Sequence, residues 1–388
     1  MIMSYLIPTY ARQPICFVRG QGSYLYTADG TAYLDALTGI AVCGLGHCHP
    51  AISAAIKEQA DTLIHTSNLY QIDWQEKAGK ILCQKAGMDK VFFANSGAEA
   101  NECALKLARL YAHQQGKSRP KVIVMENAFH GRTLLTVTAT ANTKARAGFF
   151  TLDDDFIRVP FNDVQAVASL ADDKDICAVL VEPIQGEGGL HTPADDYLEK
   201  LYHICQENDW LLMLDEVQTG NGRTGKYFAY QYSTIKPDVL TTAKGLGNGF
   251  PVGACLVAGR AKDLFGAGSH GSTYGGTPFG SRIVCAVYDN LTNDVLTNAV
   301  HESEFIRQSV RETFPQIDIR GRGMMMGFGL PDDVDCTHIV DIARDEFHLL
   351  INLTGGNVVR LLPALNISHQ DTVILTKKLL ALFTQIIK

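Results

Sequence analysis

The feature that most constrains the fold is a series of short apolar runs that alternate with helical patterns. From about residue 73, the runs at 90–93, 121–125, 177–181, 210–214 and 239–242 are predicted strands, and each leads into a polar or glycine-containing loop. Runs that are almost wholly apolar are typical of parallel strands buried on both faces. The sequence therefore predicts an α/β fold, in which a mostly parallel sheet is flanked by helices.

The loops that follow these strands carry the candidate chemistry. Lys244 lies just beyond the last of the runs and is followed by Gly245, Gly247 and Gly249, so the backbone there can approach a ligand closely. Asp215 follows the preceding run. Because open α/β sheets bind ligands at the carboxyl ends of their strands, an acid and a lysine in these places indicate chemistry between a ring nitrogen and an amine.

Two segments lack this alternation. Residues 16–40 are predicted as a small β-meander. After residue 278, helical patterns at 280–296 and 299–313 precede β-prone runs and a terminal helix at 371–387. This region is predicted as part of a second domain with an α+β architecture.

The length of 388 residues exceeds what one core usually fills, so two domains are expected. We predict a large domain of residues 45–275 and a smaller α+β domain of residues 1–44 and 276–388. The net charge of -7 argues against a nucleic acid or an anionic membrane as partner. No apolar run reaches transmembrane length, and residues 1–8 lack the features of a secretory signal.

The cysteines and one glycine-rich segment exclude other functions. The 10 cysteines include no C-x-x-C pair, so neither a metal site nor a disulfide framework is indicated, and a reducing cytoplasm fits best. Residues 220–226 resemble a nucleotide-binding P-loop, but Tyr227 replaces the required Ser or Thr. We therefore reject an ATPase.

Six motifs carry a resemblance to a known family. They are NSGAEAN at 95–101, FHGR at 129–132, EPIQGEG at 182–188, DEVQTG at 215–220, AKG at 243–245 and GSTYGG at 271–276. In this order they resemble the class III pyridoxal-phosphate aminotransferases, most closely the acetylornithine aminotransferases, from about Tyr10 to the C-terminus. The resemblance implies the fold of the type I pyridoxal-phosphate-dependent transferases.

The resemblance also implies a binding site for pyridoxal 5'-phosphate. Lys244 is similar to the Schiff-base lysine, and Asp215 to the carboxylate that keeps the ring nitrogen protonated. Gln218 is similar to the residue that hydrogen-bonds the ring hydroxyl, and Phe129 to the aromatic residue stacked on the ring. The implied cofactor-binding residues are Ser96, Gly97, Ala98, Phe129, Asp215, Glu216, Val217, Gln218, Lys244 and Thr273.

The phosphate site has two compatible interpretations. Ser96 and Gly97 stand at a predicted strand-to-helix junction, where free N–H groups bind anions. The same residues also fit a plain helix cap, with Ser96 and Glu99 as a capping box. The resemblance implies a phosphate loop, although Ala98 stands where many relatives have Thr, so backbone N–H groups must suffice there.

The resemblance implies substrate-binding residues and a shared active site. Arg132 is similar to the arginine that binds a substrate carboxylate, a task that suits a planar guanidinium. Glu187 and Arg360 resemble a pair in which the glutamate masks the arginine until the α-carboxylate of glutamate binds. Ser272 is placed beside the substrate, and Thr273 is similar to a residue that reaches the phosphate in the neighbouring subunit, which implies a homodimer.

The implied activity is transfer of the δ-amino group of N-acetylornithine to 2-oxoglutarate, as in arginine biosynthesis. The alternatives within the class are a succinylornithine or an N-succinyl-diaminopimelate aminotransferase. An aminomutase of the same fold would need no amino acceptor, and a non-catalytic binding scaffold would not need Lys244, Asp215 and Arg132.

Overall fold

The central sheet is the frame on which the candidate residues are mounted. The computed structural model describes residues 5–149 and 151–387, so residues 1–4 and 388 of the predicted small domain and residue 150 of the large one lie outside it. The described residues form a seven-stranded sheet and two four-stranded sheets. In spatial order, the seven strands are Lys90–Ala94, Gly253–Val257, Val239–Thr242, Leu211–Asp215, Ile176–Val181, Lys121–Met125 and Phe156–Val159.

The strand directions confirm the predicted fold class. The five strands from Val239–Thr242 to Phe156–Val159 are mutually parallel, whereas Gly253–Val257 runs antiparallel to both of its neighbours. Each of the five predicted strands is present. The antiparallel strand and Phe156–Val159 are additions to the prediction.

Alternate residues of the buried strands pack on opposite faces of this sheet. Val122 and Val124 belong to one apolar cluster, whereas Ile123 and Met125 belong to the other. Helix Gly97–Gln114 covers the first of these faces. Burial on both faces explains why the strand runs are almost wholly apolar, and each fully buried side chain of this kind contributes ~1.5–3 kcal/mol.

The helices either flank this sheet or belong to the chain after residue 277. Before that point they are Pro50–Thr62, Asp73–Ala86, Gly97–Gln114, Leu134–Ala139, Thr143–Arg146, Val164–Ala168 and Tyr197–Glu207, with a short turn at Thr38–Ala41. After it they are Pro278–Asn290, Asn293–Thr313, Ile339–Asp345 and His369–Ile386. Among the described helices, none is long and apolar enough to cross a membrane.

The two smaller sheets join distant parts of the chain. The predicted meander is present as the antiparallel strands Arg19–Gln21, Tyr24–Tyr26 and Ala32–Asp35, and the last of these pairs in parallel with Leu349–Leu350. The N-terminal segment therefore shares a sheet with the C-terminal region. The other sheet has the order Asp318–Arg322, Met325–Gly329, Val358–Leu361 and Asn352–Thr354. The division at residues 44/45 and 275/276 stays a prediction.

The break between the two long helices is not where the sequence pattern predicts it. The pattern places the break near residues 297–298, but the first helix ends at Asn290 and the second begins at Asn293. The hydroxyl of Thr292 accepts a hydrogen bond from Val295 N at 3.4 Å and caps the second helix. Thr277 likewise caps the first helix, since its hydroxyl accepts from a backbone N–H at 3.1 Å.

Candidate active site

A cavity of about 460 Å³ opens at the carboxyl ends of the parallel strands. Its walls come from the loops that follow five of the seven strands and from the start of helix Gly97–Gln114. The predicted site residues that line it are Ser96, Gly97, Ala98, Phe129, Arg132, Glu187, Asp215, Val217, Gln218 and Lys244. The structure thus brings ten of the fourteen together in one chain.

Lys244 occupies a constrained position directly after strand Val239–Thr242. Its φ is 48°, in the left-handed region that costs a non-glycine residue ~1–3 kcal/mol. Asn221 holds this turn, because its Nδ2 donates to Ala243 O at 2.9 Å and to Thr242 Oγ1 at 2.8 Å. These hydrogen bonds therefore fix the backbone conformation that places Lys244 in the lining of the cavity.

The Lys244 amine is chemically suited to act as a nucleophile or base. Burial lowers the pKa of Lys244 to about 8, and the nearby Arg360 acts in the same direction, whereas Glu187 and Asp215 oppose it. A larger fraction of the amine is consequently unprotonated at neutral pH than for a solvated lysine. Nucleophilic lysines in enzymes are activated in this way.

Asp215 is held at the end of its strand by several donors. Its Oδ2 accepts from Asn101 Nδ2 at 2.7 Å and is bonded to His130 Nδ1 at 2.8 Å, while its Oδ1 accepts from Val217 N at 3.0 Å. Thr241 donates to Asn101 Oδ1 at 2.6 Å and so fixes the amide. These hydrogen bonds fix the position of the Asp215 carboxylate where it faces the cavity.

The N-terminus of helix Gly97–Gln114 also opens into the cavity. The hydroxyl of Ser96 accepts from Glu99 N at 3.2 Å, which is the predicted cap. The Glu99 carboxylate bonds instead to Asn95, accepting from its N at 2.7 Å and its Nδ2 at 2.8 Å. The first N–H groups of the helix, including that of Ala98, have no intrahelical acceptor and can bind an anion.

Glu187 and Arg360 form the predicted ion pair. Arg360 Nη1 lies 2.6 Å from Glu187 Oε1, and the arginine side chain is fully buried. Gln218 joins the pair, since its Nε2 donates to Glu187 Oε1 at 3.1 Å and its Oε1 accepts from Arg360 at 3.2 Å. Burial tends to raise the pKa of Glu187, but Arg360 holds it below its usual range. Glu187 lines the cavity and Arg360 does not, so the glutamate covers the arginine.

Arg132 lines the same cavity as Glu187. Its guanidinium carbon is 5.6 Å from the centroid of the Phe129 ring, and its side chain is exposed. Within the described part of the chain, no carboxylate forms an ion pair with Arg132. This guanidinium is therefore available to an anionic ligand, in contrast to Arg360.

Besides Arg360, three predicted site residues do not line the cavity. The carboxylate of Glu216 accepts from the backbone N–H groups of Ala229 at 2.7 Å and Tyr230 at 2.8 Å, so it holds the turn at Ala229–Tyr232 and does not face a ligand. Ser272 lines a separate groove, and Thr273 is exposed. Because its side chain is occupied in this way, Glu216 could contact a cofactor only through its backbone.

The cavity fits a phosphorylated aromatic aldehyde that carries a ring nitrogen. Free helical N–H groups can hold the phosphate, Phe129 and Val217 offer apolar contacts, Asp215 can bind a protonated ring nitrogen, and Lys244 can react with the aldehyde. A Cβ at Gly97 would lie 2.7 Å from Val217 Cγ1, so glycine is required for this close approach. These residues fit pyridoxal 5'-phosphate.

Asn101, His130 and Glu182 line the cavity and have no role in the sequence-based prediction. Asn101 lies on the covered face of its helix and bonds to Asp215. Glu182 follows strand Ile176–Val181 and lines the cavity. The position of Glu182, the first polar residue after a buried run, is the same signal that identifies Asp215. For Asn101, the signal is a polar residue among the apolar positions of a helix.

Comparisons with known proteins agree with this chemistry. The model of the family described as Aminotransferase class-III matches residues 7–383. An acetylornithine aminotransferase of Nitrosomonas europaea is 48% identical, with 98% of each chain covered. An ornithine aminotransferase of Toxoplasma gondii, whose active site is partially occupied by PLP, has a TM-score of 0.94 at 30% identity, covering 98% of this chain and 92% of that chain. The acetylornithine aminotransferase of Elizabethkingia anophelis has a TM-score of 0.86 at 30% identity, covering 98% and 97%.

Proposed function

The chain belongs to the class III aminotransferases, as its motifs predict, and we propose that it transfers the δ-amino group of N2-acetylornithine to 2-oxoglutarate. The products are N-acetylglutamate 5-semialdehyde and glutamate. The observation that carries the proposal is the pair of arginines at the site of Lys244, Arg360 covered by Glu187 and Arg132 free. Such a site can accept two substrates of different charge in turn.

Pyridoxal 5'-phosphate is the cofactor of this enzyme class, and it supplies a reversible carbonyl and an electron-withdrawing ring when bound. The N–H groups at the start of helix Gly97–Gln114 would bind its phosphate. Asp215 would hold a proton at the ring nitrogen, and the contacts with Asn101 and His130 keep the carboxylate in place. Lys244 would carry the proton that leaves the substrate carbon.

The substrates are held by charge. Arg132 binds the α-carboxylate of acetylornithine with two parallel hydrogen bonds and directs the δ-amine towards Lys244. The acetyl group removes the charge of the α-amine, so no additional cation has to lose its solvent on binding. In the second half-reaction, Glu187 releases Arg360, which then binds the α-carboxylate of 2-oxoglutarate.

The assembly and cellular setting belong to the same proposal. The working unit is a homodimer in which Thr273 of one subunit reaches the phosphate bound by the other. Support comes from the exposure of Thr273 outside its own cavity and from the exposed apolar residues near it, Leu63, Ile64, Leu69, Tyr70 and Tyr274. The proposed setting is arginine biosynthesis in the cytoplasm.

A turnover panel tests the substrate. Acetylornithine, succinylornithine, N-succinyl-diaminopimelate, ornithine and 4-aminobutyrate are each supplied with 2-oxoglutarate, and kcat/KM is measured. Acetylornithine is expected to give the highest value, at least about tenfold above ornithine, which corresponds to about 1.4 kcal/mol. Arg132→Lys should lower it sharply, because an ammonium cannot reproduce the bidentate contact.

Three outcomes would contradict the assignment. A preference for ornithine would remove the role of the acetyl group. A preference for a succinylated substrate would identify one of the other class III activities. Conversion of an amino-aldehyde without 2-oxoglutarate would indicate an aminomutase, which needs no amino acceptor.

A further inference from the structure

Glu182 and Asp215 form a pair of neighbouring carboxyls in the cavity. Glu182 follows the last residue of one buried strand, and Asp215 ends the next strand. Val181 lies opposite Leu214 in this parallel pair, so Glu182 lies opposite Asp215 and both side chains leave the sheet on the same face. Adjacent strands are about 4.8 Å apart. Both carboxyls line the cavity beside Lys244.

The two carboxyls have unequal surroundings. Asp215 accepts hydrogen bonds from Asn101 and from Val217 N and is bonded to His130. The Glu182 carboxyl has a backbone donor in Phe129 N–H, but its Oε2 is buried and has no hydrogen-bond partner in the part of the chain that the structure describes. Because an unsolvated carboxylate oxygen is costly without a donor, the arrangement favours a proton on Glu182.

The neighbouring carboxylates act in the same direction. Burial, and then the negative charge of Asp215, raise the pKa of Glu182 well above its usual range. Glu187, on the same loop, adds to this effect, and Lys244 opposes it. His130 faces the pair through its bond to Asp215. The carboxyls of Glu182, Asp215 and Glu187 therefore all act on the Lys244 amine. Glu182 is the one whose surroundings favour the neutral form.

We propose that Glu182 works as a neutral carboxylic acid: it keeps its proton beside Asp215 and so places no negative charge next to Lys244. A charged Glu182 would favour the protonated, unreactive form of the Lys244 amine. The neutral acid leaves the amine able to accept a proton. Glu182 is thus a positioning residue that acts through Lys244, and the inference rests on the proposed function insofar as Lys244 is the reacting amine.

The test measures the Lys244 amine in the cofactor-free protein. Its pKa is obtained from the pH dependence of its labelling by a limiting amount of an amine-acylating reagent, with the Lys244 peptide quantified by mass spectrometry. In Glu182→Gln, which keeps the shape and is always neutral, the pKa of Lys244 should equal that of the wild type. If Glu182 were ionised in the wild type, removing its charge would lower that pKa by about one unit or more, so the midpoint of the labelling curve would fall by about one pH unit or more.

A matched control and a second measurement keep the result decisive. Glu126 follows the adjacent strand and is exposed, so Glu126→Gln removes one carboxylate without altering the cavity. If Glu182→Gln fails to fold, Glu182→Met provides a neutral side chain of similar length. In wild-type protein labelled with ¹³C-glutamate, an infrared band of a neutral acid at pH 7 that Glu182→Gln lacks is expected.

A carboxylate band for Glu182 at pH 7, or a lowered Lys244 pKa in the neutral variants, would overturn the proposal. Neither measurement involves amino transfer. A failure of the acetylornithine assignment in the turnover panel would therefore be seen separately.

Discussion

At the scale of single residues, the two arginines of the site differ in their exposure. Arg360 is fully buried against Glu187, whereas Arg132 is exposed and stacks near Phe129. Gln218 bonds to both members of the buried pair, so movement of Glu187 must break two contacts together. This coupling supports the proposed role of Glu187 as a gate, and its removal should have opposite consequences for the two half-reactions.

The Glu187→Ala variant should favour the reaction with glutamate over that with acetylornithine. Without its carboxylate, Arg360 is open to an α-carboxylate at all times, and an ω-amino substrate loses the neutral surface that it needs. The ratio of the two half-reaction specificity constants should shift by about tenfold or more. Each half-reaction is followed separately by the absorbance of the bound cofactor.

The control for this gate is Glu187→Gln, which keeps the shape and one hydrogen bond to Arg360 but not the charge. It should give an intermediate shift. Removal of one partner from a buried ion pair can cost ~3–5 kcal/mol of stability, so the melting temperature of both variants is measured alongside. Equal losses in both half-reactions would refute the gate.

Residue roles were predictable from sequence to the extent that motifs fix them. Lys244 and Asp215 follow apolar runs and lie in recognisable motifs, and the structure places both in the cavity. Glu216 lies between two residues that line the cavity, but its own side chain does not line it and instead accepts hydrogen bonds from Ala229 N and Tyr230 N. The contact between Asn101 and Asp215 joins residues 114 positions apart, and only the packing of helix on sheet creates it.

At the scale of elements, strands buried on both faces were the easiest to predict. Their apolar runs are continuous, and the structure has each of them within two residues of the predicted bounds. Gly253–Val257 is equally apolar, but its antiparallel direction depends on the path of the loop before it, which periodicity does not encode. Phe156–Val159 is an edge strand with two partly exposed residues, so its pattern is weaker.

The helix break illustrates a second limit at this scale. Apolar periodicity continues across residues 291 and 292, because both helices pack against the same core. The hydroxyl of Thr292 and the following Asn293 provide the local start signal of the second helix. Capping residues locate a boundary better than periodicity does where two amphipathic helices follow each other.

At the scale of the whole molecule, the cavity in one chain lacks one of its proposed phosphate contacts. Thr273 is exposed and does not line the cavity of its own chain. In the proposed homodimer, Thr273 and Lys244 of one active site come from different subunits. Mutations at these two residues should therefore complement each other between subunits.

The prediction is that a heterodimer of Thr273→Ala and Lys244→Ala chains is active. One of its sites carries both lesions and the other carries neither, so it should have about half the activity of the wild-type dimer. The two chains carry different affinity tags, which allows the heterodimer to be isolated. A heterodimer of wild-type chain and doubly mutated chain is the control, since neither of its sites is intact. Activity no higher in the first heterodimer than in the second would contradict a shared site.

The central claim is that the amine of Lys244 is the group that binds the cofactor and carries the reaction. The most direct measurement is reduction of the cofactor-loaded enzyme with borohydride, followed by peptide mass spectrometry. The account predicts that the cofactor mass is found on the peptide that contains Lys244 and that Lys244→Ala yields no such adduct. An adduct on another lysine, or none although the cofactor is bound, would contradict it.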